Sequence, residues 1–120
     1  MGNPFVHVEL MTTDVDKAKA FYGKLFDWKL EDMNMGDVTY TMIKVGDGTG
    51  GGFMKNPMAN AGSMWVAYVN VDDLKAATAK AKSLGATIIK DQIEVKGGGS
   101  FSIIIDPTGA MLGLWKPKEA

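Results

Sequence analysis

The sequence contains no cysteine, no arginine and only one histidine, His7. The absence of cysteine excludes disulfides, thiolate zinc sites and cysteine nucleophiles, and it is compatible with a reducing compartment. The absence of arginine removes the bidentate fork that proteins usually choose for phosphate or carboxylate groups. With a single imidazole in the chain, a metal site would depend almost entirely on carboxylates.

Excess charge and long apolar runs are also missing. Thirteen basic residues face fourteen acidic ones, for a net charge of -1, which leaves no electrostatic footprint for nucleic acid or an anionic membrane. No stretch approaches the roughly 20 apolar residues of a membrane span, and the N-terminus lacks a basic segment followed by an apolar run. We therefore expect a soluble, cytoplasmic protein, and its 120 residues predict a single domain over 1–120.

The strand and helix at the start of the chain organise the remaining prediction. Val6, Val8 and Leu10 alternate with His7 and Glu9, so the aliphatic row and the histidine lie on opposite faces of a strand. A helix follows, with Thr13 or Asp14 as its N-cap and with apolar residues at helical spacing, which are Ala18, Phe21, Tyr22 and Leu25. Because the aliphatic row packs under this helix, His7 and Glu9 are predicted to face away from it.

The second half of the chain repeats the first. A shift of 59 positions aligns Asp14 with Asp73 and Leu25 with Leu84, and each half reads as strand, helix and three strands. The predicted fold class is α+β, with two βαβββ modules, at about residues 4–56 and 63–117. They form a curved, partly open mixed sheet with the helices on its outer face. Turns, loops or bends are predicted at Gly36-Asp37, 56–63 and 97–99.

A glycine-rich segment, Gly46 to Gly52, formally contains the dinucleotide fingerprint GxGxxG. That motif requires a helix that begins at the glycines within a βαβ unit, whereas here Phe53-Met54 leads to Asn56-Pro57. The segment predicts a turn followed by a short strand.

The inner face of the sheet supplies the candidate site. His7 and Glu9 are its candidate catalytic residues, and its candidate ligand-binding residues are Tyr40, Met42, Phe53, Tyr68, Met111 and Trp115. An apolar wall with one or two polar groups suits a planar or hydrophobic small molecule. His7 has three interpretations: a strand histidine bonded to a neighbour such as Glu9, a ligand-binding group or base, or a metal ligand.

Several segments together resemble a known family, the vicinal oxygen chelate superfamily of glyoxalase I, bleomycin-resistance proteins and extradiol dioxygenases. They are the paired modules, TTDVDKAKAFYGKLF, VAYVNVDDLKAATAKAKSLGA and the ending DPTGAMLGLW. The resemblance implies four metal-ligand positions. His7 stands at the first, whereas the others fall at Gly52-Phe53, Val66 and Gly113, so the chain is similar to the glyoxalase-like subgroup that lacks the full ligand set.

The resemblance implies a glyoxalase/bleomycin-resistance-type protein that binds a small, largely apolar molecule without a metal ion or other cofactor, as a homodimer. The alternative is an enzyme, a metal-dependent lyase, isomerase or dioxygenase in which His7 and Glu9 hold a divalent cation. A third reading is an accessory protein with a degenerate cleft.

Overall fold

Eight strands and two helices are present in the computed structural model, which describes residues 2–35, 38–56, 58, 62–95 and 98–118. The first module consists of β1 (Phe5–Thr12), α1 (Val15–Leu25), β2 (Lys29–Met35), β3 (Val38–Lys44) and β4 (Gly51–Lys55). The second consists of β5 (Met64–Asn70), α2 (Leu74–Ser83), β6 (Thr87–Glu94), β7 (Ser100–Ile105) and β8 (Met111–Lys116). This order confirms the α+β class and the two βαβββ modules. The predicted turn at Gly36-Asp37 lies outside the described residues, as do parts of the loop 56–63 and of the bend 97–99.

The chain divides into two compact units whose limits differ from the predicted module boundaries. One unit is His7–Val66, and the other joins the residues up to Val6 with those from Ala67 onward. In the latter, the backbone N–H of Asn70 donates to the carbonyl of Pro4 at 2.9 Å. The amide of Asn3 donates to the carbonyl of Asn70, also at 2.9 Å. The first residues of the chain therefore belong with the second module.

The first module is a mixed, open sheet with the strand order β2-β3-β4-β1. β1 runs parallel to β4, while β2, β3 and β4 are antiparallel to their neighbours. The side chain of Asp14 caps α1 by accepting from the backbone N–H of Lys17 at 3.0 Å. Leu10 and Ile43 are buried in a core to which Ala18 of α1 contributes. The predicted packing of the aliphatic row of β1 beneath α1 is thus confirmed at Leu10.

Two of the apolar residues predicted for the buried face of α1 are exposed. Phe21 is 58% exposed and Leu25 is 55% exposed, whereas Tyr22 packs against the core. The helix lies on a sheet and not among other helices, so only a narrow stripe of it is covered. Phe21 sits 100° round the helix from Tyr22, and Leu25 is its last residue.

The second module repeats the arrangement, with the strand order β5-β8-β7-β6. Asp73 caps α2 by accepting from the N–H of Ala76 at 3.0 Å, so the two caps lie 59 residues apart, as the repeat predicts. Gly85 follows the helix with φ +105, in the left-handed region that glycine adopts without strain. Val71, Leu74, Ile104 and Leu114 form the core beneath the helix.

The glycine-rich segment makes turns and then a strand, as predicted. Gly46 and Gly48 have φ values of +96 and +108, and β4 begins at Gly51. Gly51 has its own structural requirement, because a Cβ there would overlap the carbonyl oxygen of Val8 on the neighbouring strand. The lack of a side chain at Gly51 therefore allows β4 to lie close to β1.

Candidate functional site

Strand β1 places His7 and Glu9 on the sheet face opposite α1. Glu9 pairs with Gly52 of β4, and Gly52 pairs with Met42 of β3, so the three residues form a row across that face. Glu9 is only 5% exposed, while His7 is half-buried. A carboxylate and an imidazole thus share a largely enclosed surface, as the alternation in the sequence predicts.

Two oxygen atoms approach the same nitrogen of His7. Its Nε2 lies 2.8 Å from the hydroxyl of Tyr40, a hydrogen bond, and 3.6 Å from Oε2 of Glu9. The rings of His7 and Tyr40 are stacked, with centroids 6.4 Å apart and an interplanar angle of 24°. The direction of the hydrogen bond depends on the tautomer of the imidazole. The structure therefore brings together three of the predicted site residues.

Gly52 makes this contact possible. A Cβ at Gly52 would overlap the hydroxyl and the adjoining ring carbon of Tyr40. Because Gly52 has no side chain, Tyr40 crosses β4 diagonally and reaches His7. A glycine inside a strand is a known signal of such a close approach. The glycine-rich segment predicts a turn and a short strand, and nothing in that pattern indicates this role of Gly52.

Phe53 does not belong to this face, and its predicted place in the site wall is wrong. It pairs with Leu10 and Thr41, is fully buried, and packs beneath α1, where its ring centroid lies 5.7 Å from that of Tyr22. The error comes from the glycines that precede it, since residues without side chains give no alternation from which to read the strand phase.

The predicted candidates of the second module lie on a face of β5 and β8. Tyr68 pairs with Gly113 and is buried, and a Cβ at Gly113 would overlap the ring of Tyr68. Met111 and Trp115 share the face of Gly113, because each is two residues away from it along β8. The ring of Phe101, which the sequence analysis did not select, meets Tyr68 edge to face at 6.0 Å. A ligand-binding role for Tyr68, Met111 and Trp115 stays a prediction.

The side chains at the four implied ligand positions do not fit a metal ion. Of these residues, only His7 has a side-chain atom that can coordinate a metal. Gly52 and Gly113 have no side chain, and Val66 is buried and aliphatic. Within the described parts of the chain, no group of three or more His, Cys, Asp or Glu residues could hold a metal. Catalytic zinc sites use about three protein ligands. His7 and Glu9 are therefore too few.

A separate depression lies beside the glycine-rich turn, with a volume of about 550 Å³. Lys29 and Lys44 line it together with Gly46, Gly48 and Gly50, but Lys44 is paired with Glu31 at 3.1 Å. It contains neither His7 nor Glu9, and no helix begins at its glycines.

The fold and a match to a family model define the class of protein. The family model of the Glyoxalase/Bleomycin resistance protein/Dioxygenase superfamily matches residues 5–114, and the chain belongs to this superfamily. The resemblance found in the sequence is confirmed.

Among curated proteins, the chain is similar to "Putative glyoxylase CFP32" of Mycobacterium tuberculosis, with 34% identity over 110 residues. The protein of the same description from Mycobacterium bovis matches equally well. The alignment covers 91% of this chain but 42% of each relative, so the chain spans less than half the length of the curated relatives it matches.

Solved structures share the fold at low sequence identity. Methylmalonyl-CoA epimerase from Mycobacterium tuberculosis has a TM-score of 0.72 and 17% identity, covering 96% of this chain and 88% of the other. The hypothetical protein BH1468 from Bacillus halodurans has a TM-score of 0.71 and 17% identity, covering 100% and 98%. At this identity the likeness shows the fold alone. Neither helix of the described chain is long and apolar enough to cross a membrane.

Proposed function

We propose that this protein binds a small, largely apolar molecule on the sheet face that carries His7, Glu9 and Tyr40, and that it does so without a metal ion. The observation that carries the proposal is the hydrogen bond between His7 Nε2 and the Tyr40 hydroxyl. It fixes an imidazole and a phenol beside a carboxylate on a face that also carries Met42 and Gly52, with the exposed Glu31 opposite Met42 on β2. Ligand sites commonly have this composition, a few placed polar groups on an apolar surface.

The donor set supports the metal-free part of the proposal. His7 and Glu9 are the two side chains that could coordinate a metal at this site, and two of the implied ligand positions are glycines. A divalent cation there would rely on water for most of its coordination. The superfamily supports the alternative, a metal-dependent lyase, isomerase or dioxygenase that uses His7 and Glu9.

We also propose a cytoplasmic homodimer. The lack of cysteine is compatible with a reducing compartment. The exposed side chains of Phe21 and Leu25 support self-association, because apolar side chains clustered at a surface are typical of interaction sites. Size-exclusion chromatography with light scattering tests this part, and a monomer at micromolar concentration would contradict it.

The binding proposal is tested on protein purified without an affinity tag or chelator. We expect elemental analysis to find metal far below one equivalent per chain. We expect a panel of aromatic ketones and phenols to displace the fluorescent probe anilinonaphthalene sulfonate, with a weaker effect on Tyr40→Phe. Tyr22→Phe is the matched control, since the Tyr22 hydroxyl makes no hydrogen bond to the described residues. Near-stoichiometric metal that is lost in His7→Ala would reject the metal-free function, and equal displacement from both tyrosine variants would reject the assigned face.

A further inference from the structure

We infer that two tyrosine side chains occupy the places of two of the three absent ligand side chains, those at Gly52 and Gly113, and that Tyr40 keeps divalent cations away from His7. This inference rests on the metal-free part of the proposed function. It goes further, because it assigns the loss of metal binding to a specific pair of residues in each module, Tyr40 with Gly52 and Tyr68 with Gly113. Tyr40 is then the residue that makes the site select against divalent cations.

Tyr40 fills the space above Gly52. Any side chain at this position would begin where the hydroxyl end of Tyr40 lies. The atom in the way belongs to a side chain and not to the backbone, so Tyr40 could rotate aside, but only by giving up its hydrogen bond to His7. A glutamate at position 52 and the present position of Tyr40 are therefore mutually exclusive.

The Tyr40 hydroxyl also occupies the place beside His7 Nε2 that a bound metal ion would take. A zinc ion bound to this nitrogen would lie about 2.0 to 2.1 Å from it. The Tyr40 oxygen stands 2.8 Å from the same atom. Along the line that joins the two atoms, only about 0.7 Å would separate such an ion from the oxygen, from 2.8 minus about 2.1. A cation on Nε2 must therefore displace the hydroxyl.

In the second module a glycine also lies beneath a tyrosine, although this tyrosine comes from β5, the counterpart of β1, and not from the counterpart of β3. At Gly113, a Cβ would overlap the body of the Tyr68 ring, close to the point where it joins the chain. Tyr68 is 3% exposed and contacts Phe101, so this ring has less freedom to move than the end of Tyr40. Two implied ligand positions are thus each covered by a tyrosine of their own module.

The inference predicts that a restored carboxylate will bind metal well only when the tyrosine is removed. The test compares the affinities for Ni²⁺ of the wild type, Gly52→Glu, Tyr40→Ala and the double variant. The double variant offers His7, Glu9 and the new glutamate. We expect it to gain a nickel-dependent rise in melting temperature of about 5 to 10 °C at saturating metal, abolished by His7→Ala.

The single variant Gly52→Glu should bind Ni²⁺ about tenfold or more weakly than the double variant, because it must first break the hydrogen bond between Tyr40 and His7. Equal affinities of Gly52→Glu and the double variant would overturn the inference, as would a double variant that binds no better than the wild type. Both results leave the proposed small-molecule binding intact. Stoichiometric nickel on the wild type that His7→Ala removes would instead reject both proposals.

A smaller substitution keeps the inference testable if the glutamate variants do not fold. Gly52→Ala should lower the melting temperature by about 4 °C or more in the wild type and by less than half as much in Tyr40→Ala. Gly51→Ala is the matched control: its Cβ meets the carbonyl oxygen of Val8, so its cost should be the same in both backgrounds. An equal cost of Gly52→Ala in both backgrounds would show that Tyr40 does not set the requirement for glycine.

Discussion

The substitution Tyr40→Phe isolates the hydrogen bond on which the proposed site depends. It removes one oxygen atom and leaves the ring in place over Gly52, so no cavity forms and no strand has to move. The lost interaction is the 2.8 Å contact with His7 Nε2, which is partly buried. A hydrogen bond of this kind contributes about 0.5 to 1.5 kcal/mol to the free energy of unfolding. For a chain of 120 residues this corresponds to a fall in melting temperature of about 2 to 6 °C.

The assay is a double-mutant cycle in urea with Tyr40→Phe, His7→Ala and the double variant. If the two side chains interact as the structure shows, their coupling free energy should be about 0.5 to 1.5 kcal/mol. Tyr22→Phe, made in parallel, should change the free energy of unfolding by less than about 0.5 kcal/mol. A coupling below about 0.3 kcal/mol would refute the reasoning, because additive effects of that size are typical of residues that do not touch.

Three other predictions concern the stability of the two modules. Ser102→Ala should cost about 1 to 3 kcal/mol in urea unfolding, since the fully buried hydroxyl accepts from the backbone N–H of Gln92 at 3.0 Å, and an unchanged stability would contradict this. Hydrogen bonds from the Thr108 side chain and from nearby backbone N–H groups lower the pKa of Asp106 in the folded chain. The ionised Asp106 should therefore stabilise the fold above about pH 3.8, and this contribution should be lost as the pH falls through the lowered pKa. In Asp106→Asn, the free energy of unfolding should depend less on pH in that range. Phe53→Ala should cost about 3 to 5 kcal/mol and Phe5→Ala, at a side chain that is 64% exposed, less than about 1 kcal/mol by thermal unfolding, and similar costs would show that these two exposures are wrong.

The sequence predicts those parts of the fold that depend on local signals. Hydrophobic periods located the strands and helices, and each N-cap was predicted to within two adjacent residues, Thr13 or Asp14 and Asp72 or Asp73, because a capping side chain acts within three residues of itself. Contacts that depend on the register of several strands were not predictable. The diagonal reach of Tyr40 over Gly52 requires β1, β3 and β4 to be aligned at once, and no pattern within one strand contains that information. The face of Phe53 was misassigned for a different reason, because the glycines before it give no alternation from which to read the strand phase.

The strand that supplies the tyrosine explains why two modules with similar backbones carry different chemistry, because Tyr68 lies on β5, the counterpart of β1, whereas Tyr40 lies on β3. Tyr68 stands directly opposite Gly113, so the body of its ring lies over the glycine and its neighbour is the ring of Phe101. Tyr40 instead lies two residues from Met42, the residue that faces Gly52, and it therefore approaches the glycine at an angle and covers it with its hydroxyl end. Because Tyr40 lies two residues away from the position opposite Gly52, its side chain crosses β4 at an angle and its hydroxyl reaches the imidazole of His7 on β1. The repeat thus reproduces strands and caps, but the two tyrosines come from strands that do not correspond, Tyr40 from β3 and Tyr68 from β5, and the hydrogen bond to the histidine arises from the diagonal placement of Tyr40.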